Sequence, residues 1–254
     1  MIFFLLKKLS KFFLLVLLFI TVFLLSFLLI GSTDTSSTYS SVYLTKFEFN
    51  KSSDLYSNIQ AAYKGSNIST KLAELTLSVG YLGVCIDIDN SLQCTSYNDL
   101  DSISNYTGIS IIPTTKNGAD QLNLVDLAQT FRKVCYANVL LAAIVLTLLS
   151  LAVVFWNVIP LVPGKSMAKK IACVISAANV LVWGLGSMLQ HEATKAARHI
   201  VGPASMNTVS ATIGQRAEAM TWTAFSFLLI VCMGSVFVYI RDLKERVNEI
   251  EPKF

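Results

Sequence analysis

Four long windows without Asp, Glu, Lys or Arg constrain this chain more than any other feature. They cover residues 12–30, 136–159, 171–189 and 220–240. About 20 apolar residues in a row are needed to cross the hydrocarbon of a bilayer as a helix. Lipid offers no hydrogen-bond partner to a free peptide group, so each window must satisfy its backbone internally. Pro160 and Pro163 end the second window, since proline cannot continue a helix. Composition agrees: 54% of the 254 residues are hydrophobic and only 14% are charged, against about 25% in soluble domains. The expected fold class is an all-α membrane bundle of four transmembrane helices, with a small antiparallel β-sheet in the large first extracellular loop.

The first window holds 19 residues, more than the ~7–15 of a signal-peptide core. Apolar residues 2–6 also precede its lysines, unlike a basic leader. It reads as an anchor that is kept, although Gly31 and Ser32 supply small residues where a leader would be cut.

Flanking charge sets the orientation. Lys7, Lys8 and Lys11 precede the first window, and Lys165, Lys169 and Lys170 follow the second. Arg241, Lys244, Arg246 and Lys253 follow the fourth. That side carries ten basic residues, whereas the 190–219 loop carries three, Lys195, Arg198 and Arg216. The positive-inside rule puts the ten in the cytosol. The layout is then a cytosolic N-terminus (1–11), helix (12–30), large extracellular loop (31–133), helix (134–159), cytosolic loop (160–170), helix (171–189), short extracellular loop (190–219), helix (220–240) and cytosolic tail (241–254). The N-x-S/T sequons at Asn50, Asn67 and Asn105 all fall in the large loop, the side on which N-glycosylation occurs.

The large loop has strand-like patterning. Val42, Leu44, Tyr39, Tyr43, Phe47 and Phe49 suggest one or two strands. Leu75, Leu77, Val79 and Tyr81 alternate with period two. Residues 102–112 suggest another strand, stopped by Pro113. We expect the sheet to sit on the outer ends of the helices. Residues 126–133 read as an outward extension of the second helix, with Leu124, Leu127 and Phe131 on one face.

The most informative stretch is Gly80-Tyr-Leu-Gly83-Val-Cys85-Ile-Asp-Ile-Asp-Asn-Ser-Leu-Gln-Cys94. A two-residue turn at Asp89–Asn90 suits residues that tolerate the left-handed conformation. Counting outward from that turn pairs Ile88 with Ser91, Asp87 with Leu92, Ile86 with Gln93, and Cys85 with Cys94. The last is a non-hydrogen-bonded pair, in which Cα atoms come within about 4.5 Å, close enough for a disulfide. An oxidising compartment preserves it. Cys135, Cys173 and Cys232 lie in or at helices and read as buried apolar fillers.

At this segment the sequence resembles the claudin superfamily, with four spans, a large first outer loop and a short second one. The Gly80…Gly83-Val84-Cys85…Cys94 pattern resembles the signature of its fungal factor-induced-gene family. The resemblance implies a claudin-like fold with Gly80, Gly83, Cys85 and Cys94 as motif positions. It implies a multi-pass plasma-membrane protein at the mating projection or cell–cell contact zone, supporting membrane fusion between mating cells and regulating low-affinity calcium influx. Arg132 is placed like an arginine of animal claudins, while the tryptophan of their motif is replaced by Tyr81-Leu82. The alternative is a structural organiser of a cortical membrane domain, of eisosome or cortical-patch type, or of cell-wall integrity.

No enzyme motif stands out, and no cofactor is implied. His191 and His199, with Glu192, have poor spacing for a metal and read as the polar end of the third helix. Asp87 and Asp89 share a strand face with Cys85 and are weak cation-attracting candidates; a solvated hairpin face is the plainer reading. The windows hold no carboxylate, and ionisable groups mark most intramembrane ion pathways, so the chain reads as a regulator of calcium entry rather than a self-contained channel. Expected partners are the lipid bilayer, further copies of the chain, or other plasma-membrane proteins of the calcium-entry or fusion machinery. A formal charge of +4 gives no reason to invoke nucleic acid.

Overall fold

A computed structural model describes residues 2–65, 75–88, 91–97, 124–159 and 165–250. The elements in chain order are α1 (Ile2–Ile30), α2 (Ser37–Ser40), β1 (Thr45–Phe49), α3 (Tyr56–Gly65), β2 (Thr76–Val79), β3 (Gly83–Ile88), β4 (Ser91–Ser96), α4 (Leu124–Val134), α5 (Ala137–Val158), α6 (Lys165–Ala204), β5 (Val209–Ile213) and α7 (Gln215–Ile250). Four helices are long and apolar enough to cross a membrane, over Leu9–Ile30, Ala137–Val158, Met167–Ala204 and Gln215–Lys244. The chain divides into a helical unit (Met1–Ser26, Asn138–Ser187, Thr221–Phe254) and a sheet unit (Phe27–Ala137, Met188–Met220).

The helices outrun their apolar windows. The third window covered 171–189, whereas α6 has 40 residues; α7 has 36. Loss of hydropathy marks where the bilayer ends, while the backbone ladder of a helix continues as long as residues favour it.

Within the helical unit the buried face of α5 is Leu140, Ala143, Thr147, Ser150, Val154 and Asn157. The steps alternate three and four, the repeat of helices packed side by side. Asn179 of α6 donates from Nδ2 to Thr147 Oγ1 at 2.8 Å. One turn on, Ser150 and Ser176 are also buried. Trp183 is fully buried and its Nε1–H points to the Thr221 carbonyl at 3.4 Å. The small residues of α6 close this bundle: a Cβ on Gly186 would press on Val139, and one on Gly184 on Phe225. Lys169 and Asp242 form an ion pair. Cys173 and Cys232 are half-buried, less enclosed than apolar fillers would be.

The sheet unit holds five antiparallel strands in the order β4-β3-β2-β1-β5. Alternation builds its core. Thr45, Phe47 and Phe49 of β1 are buried, while Lys46 and Glu48 are more open. Leu75, Leu77, Val79 and Tyr81 are all buried, as their period-two spacing requires. Phe131 of α4 meets Phe47 edge-on at 6.3 Å between ring centroids, and Leu124 and Ala128 of the same helix are buried.

Three details differ from the sequence reading. The fifth strand, Val209–Ile213, comes from the second outer loop and pairs with β1 from Thr45↔Ile213 to Phe49↔Val209. Tyr39 lies in α2, and Val42 and Tyr43 lie between α2 and β1, so this region gives one strand only. Finally, α4 is separated from α5 at Cys135–Tyr136 rather than continuing it. Its buried stripe of Leu124, Ala128 and Phe131 serves the sheet, a different task from the seam of α5. The expected strand over 102–112 lies outside the described residues.

Candidate functional site at the glycine–cysteine hairpin

The signature segment forms two successive hairpins. In the first, β2 pairs with β3 from Thr76↔Asp87 to Val79↔Val84, and Tyr81-Leu82 make the bend between Gly80 and Gly83. The Gly80 N–H donates to the Gly83 carbonyl at 2.9 Å. In the second, β3 pairs with β4 in the register expected, Ile88↔Ser91 through Cys85↔Cys94 to Gly83↔Ser96. Cys85 and Cys94 are disulfide-bonded with Cα atoms 4.0 Å apart. The bond ties the edge strand β4 to the sheet interior.

The two glycines are required by close packing rather than by turn conformation. A Cβ on Gly80 would run into the Gly31 carbonyl oxygen, and one on Gly83 into the Ser32 carbonyl oxygen. The backbone just beyond α1 therefore rests directly on the bend of the signature. That seat is itself fixed. Ser32 has φ 61° and is fully buried. Its Oγ donates to the Val42 carbonyl at 3.0 Å and its N–H to the Tyr39 carbonyl at 2.9 Å. Few non-glycine residues adopt a positive φ; two hydrogen bonds hold this one there.

Aromatic residues lock the other side. The buried Tyr81 hydroxyl donates to Gln190 Oε1 at 3.0 Å, tying the bend to α6. The Tyr97 hydroxyl donates to the Gly80 carbonyl at 3.3 Å, and the Arg132 guanidinium lies 4.4 Å from the Tyr97 ring centroid. Burial pushes both phenol pKa values up; at Tyr97 the neighbouring Arg132 partly opposes this. Both hydroxyls therefore stay neutral donors. Gln190, Tyr97, Ser32 and the strand β5 were not singled out from sequence. The signals available were the Gly31-Ser32 pair after an apolar window and the alternation Val209, Ala211, Ile213.

The remaining candidates are placed as follows. Both faces of β3 are covered: Val84, Cys85 and Ile86 are at most 2% exposed. The face shared by Cys85 and Asp87 is therefore not an open, solvated one. Asp87 is half-buried, and its Oδ1 has no hydrogen-bond partner among the described residues. Asp89 lies outside the described residues, as do Asn67 and Asn105. Asn50 is described: its Nδ2 donates to the Asn207 carbonyl at 2.9 Å and its Oδ1 accepts from the Ser52 N–H at 3.1 Å. An N-linked glycan leaves one hydrogen on that nitrogen, enough to keep the first bond. His191 Nδ1 lies 3.0 Å from Glu218 Oε1, joining α6 to α7. Among the described residues no group of three or more His, Cys, Asp or Glu gathers to hold a metal ion. The arrangement is a rigid scaffold of backbone contacts, a disulfide and buried phenols.

Comparison with known proteins adds a finding of another kind. Residues 62–241 match the family model described as "Ca2+ regulator and membrane fusion protein Fig1". The "Factor-induced gene 1 protein" of Saccharomyces cerevisiae is 32% identical over 273 aligned positions, covering 99% of this chain and 91% of that protein. No solved structure matches.

Proposed function

This chain belongs to the Fig1 family of Ca2+ regulators and membrane fusion proteins, and from that premise we propose that it acts at the plasma membrane of mating fungal cells, supporting fusion of the partner membranes and regulating low-affinity calcium influx. The observation that carries the proposal is the hairpin signature: Gly80 and Gly83 seated on Gly31 and Ser32, closed by Cys85–Cys94. It is a built recognition scaffold in a protein with four helices fit to cross a membrane. The basic flanks favour cytosolic termini and an outward-facing sheet unit. A disulfide suits that side.

On this reading the protein regulates calcium entry instead of conducting it. The buried polar side chains of the α5–α6 seam are neutral: Thr147, Ser150, Ser176 and Asn179. A divalent cation in a dry bundle needs carboxylates, which those windows lack. Its partners are other membrane proteins of the calcium-entry or fusion machinery. No catalytic chemistry is assigned.

The test is deletion of the gene followed by two measurements on mating pairs, fusion efficiency and calcium uptake. Both are expected to fall. Normal values for both would refute the proposal, and stable patches in vegetative cells with no mating defect would favour an organiser of cortical membrane domains.

A further inference from the structure

The tip of the sheet unit carries large apolar side chains in the open. Away from the ends of the spans, those left exposed in this unit are Leu55, Ile200 and Met206. They converge. The Asn50 N–H donates to the Thr208 carbonyl at 2.9 Å, and its side chain reaches the Asn207 carbonyl. This lays the turn leading to Leu55 beside the end of α6. Ile200 is 62% exposed on the last turns of α6, and Met206 is 77% exposed just beyond them.

Met206 is held there against its own preference. The Asn207 N–H donates to the Gly202 carbonyl at 2.7 Å and the Met206 N–H to the Pro203 carbonyl at 3.2 Å. This is the paired closure that ends many helices, and it places Met206 at the left-handed position usually filled by glycine. Its φ is 53°, and Asn207 follows at 59°. A methionine there combines unfavourable backbone with an unburied apolar side chain, two costs that glycine or asparagine would avoid.

The surroundings indicate what covers it. Residues 193–204 carry Lys195, Arg198 and His199 and no acid, and all three are exposed. Apolar side chains ringed by basic ones suit a lipid surface, where the apolar groups enter the headgroup boundary and the cations meet anionic lipid. A protein pocket would be matched by shape, and a flexible methionine and an isoleucine on adjoining turns present little of it. Reach fits as well. At 1.5 Å per residue, Ile200 lies about 45 Å along α6 from Lys170, whereas hydrocarbon takes up about 30 Å.

We infer that Ile200 and Met206 form an apolar tip that docks on the surface of the opposed bilayer, steadied by Lys195 and Arg198. This rests on the fusion reading above and specifies the part of the molecule that touches the second membrane.

The test uses the full chain in nanodiscs, mixed with protein-free vesicles of phosphatidylcholine doped with phosphatidylserine and separated by flotation. Wild-type discs are expected to float with the vesicles. Met206→Gly installs the residue the turn prefers, so thermal stability should hold or rise while vesicle affinity drops about tenfold, the worth of one apolar side chain entering the membrane. Ile200→Ser should weaken binding by a similar factor. Wild-type discs that ignore the vesicles, or Met206→Gly discs that bind as well as wild type, overturn the inference. Either result leaves the fusion reading standing if deletion cells still fail to fuse, whereas normal fusion in deletion cells removes that reading whatever the vesicles do.

Discussion

The helical unit and the sheet unit bury opposite kinds of side chain. The seam of the helical unit holds Thr147, Ser150, Asn157, Ser176 and Asn179, while Val174, Leu181 and Leu185 face outward. The sheet unit buries Phe47, Leu77, Val79, Val84 and Ile86, while Lys46 and Glu48 lie toward solvent. Water drives apolar groups together because it rejects them. Lipid does not, so helices within it associate through small residues, close packing and hydrogen bonds. One chain obeys both rules because its two regions meet different solvents. The contrast extends to what fixes each region: the sheet unit depends on exact backbone approach and a covalent tie, the helical unit on many weak and replaceable contacts.

Removing the disulfide should break the sheet unit most. Cys85→Ala and Cys94→Ala are each expected to cost about 2–5 kcal/mol, to act equally, and to block delivery to the cell surface; surface biotinylation and thermal unfolding check this. The double variant should be no worse than either single one, since one bond is lost in all three. A peptide map showing both thiols free in the wild type would contradict the structure directly.

Next in size are the signature glycines. Gly83→Ala should cost about 1–3 kcal/mol or prevent folding, because the added methyl meets backbone that cannot swing aside. Gly202→Ala is the control: its Cβ would sit 3.4 Å from Asn207 Oδ1, an ordinary contact. Alanine also favours the helix, so that variant should be neutral or slightly more stable. Equal effects at the two positions would refute close packing as the reason for the signature.

The buried phenols come third. Tyr97→Phe removes one hydrogen bond to the Gly80 carbonyl and should cost about 1 kcal/mol. Because burial raises both phenol pKa values above the usual 10, the folded state favours the protonated form. That contribution is complete below about pH 10 and is lost as pH climbs beyond it. Alkaline titration of Tyr97→Phe should show a smaller loss of stability than wild type.

The smallest effect is expected in the bundle. Asn179→Leu removes the bond to Thr147, yet interhelical hydrogen bonds in membranes average only about 0.6 kcal/mol. Unfolding in mild detergent should shift little. A loss as large as that of Gly83→Ala would erase the distinction between the two regions.

Sequence alone determined the four helices, the alternation of β2 and the Cys85–Cys94 pairing. Each is local: an uncharged run, a period of two, and a turn that sets register for the residues beside it. The reason for Gly80 and Gly83 was beyond that reach. Their obstacles, Gly31 and Ser32, lie about fifty residues away in the chain, and no spacing rule connects them. The fifth strand was missed for a related reason. Val209–Ile213 is too short to stand out in a loop, and only β1, more than 160 residues earlier, gives it a partner. The position of α6's end was hidden as well, because hydropathy reports the bilayer and not the helix. Tertiary structure decided these features because backbone contact and strand pairing depend on distance in space, which the solvent-driven patterns of a membrane sequence do not encode.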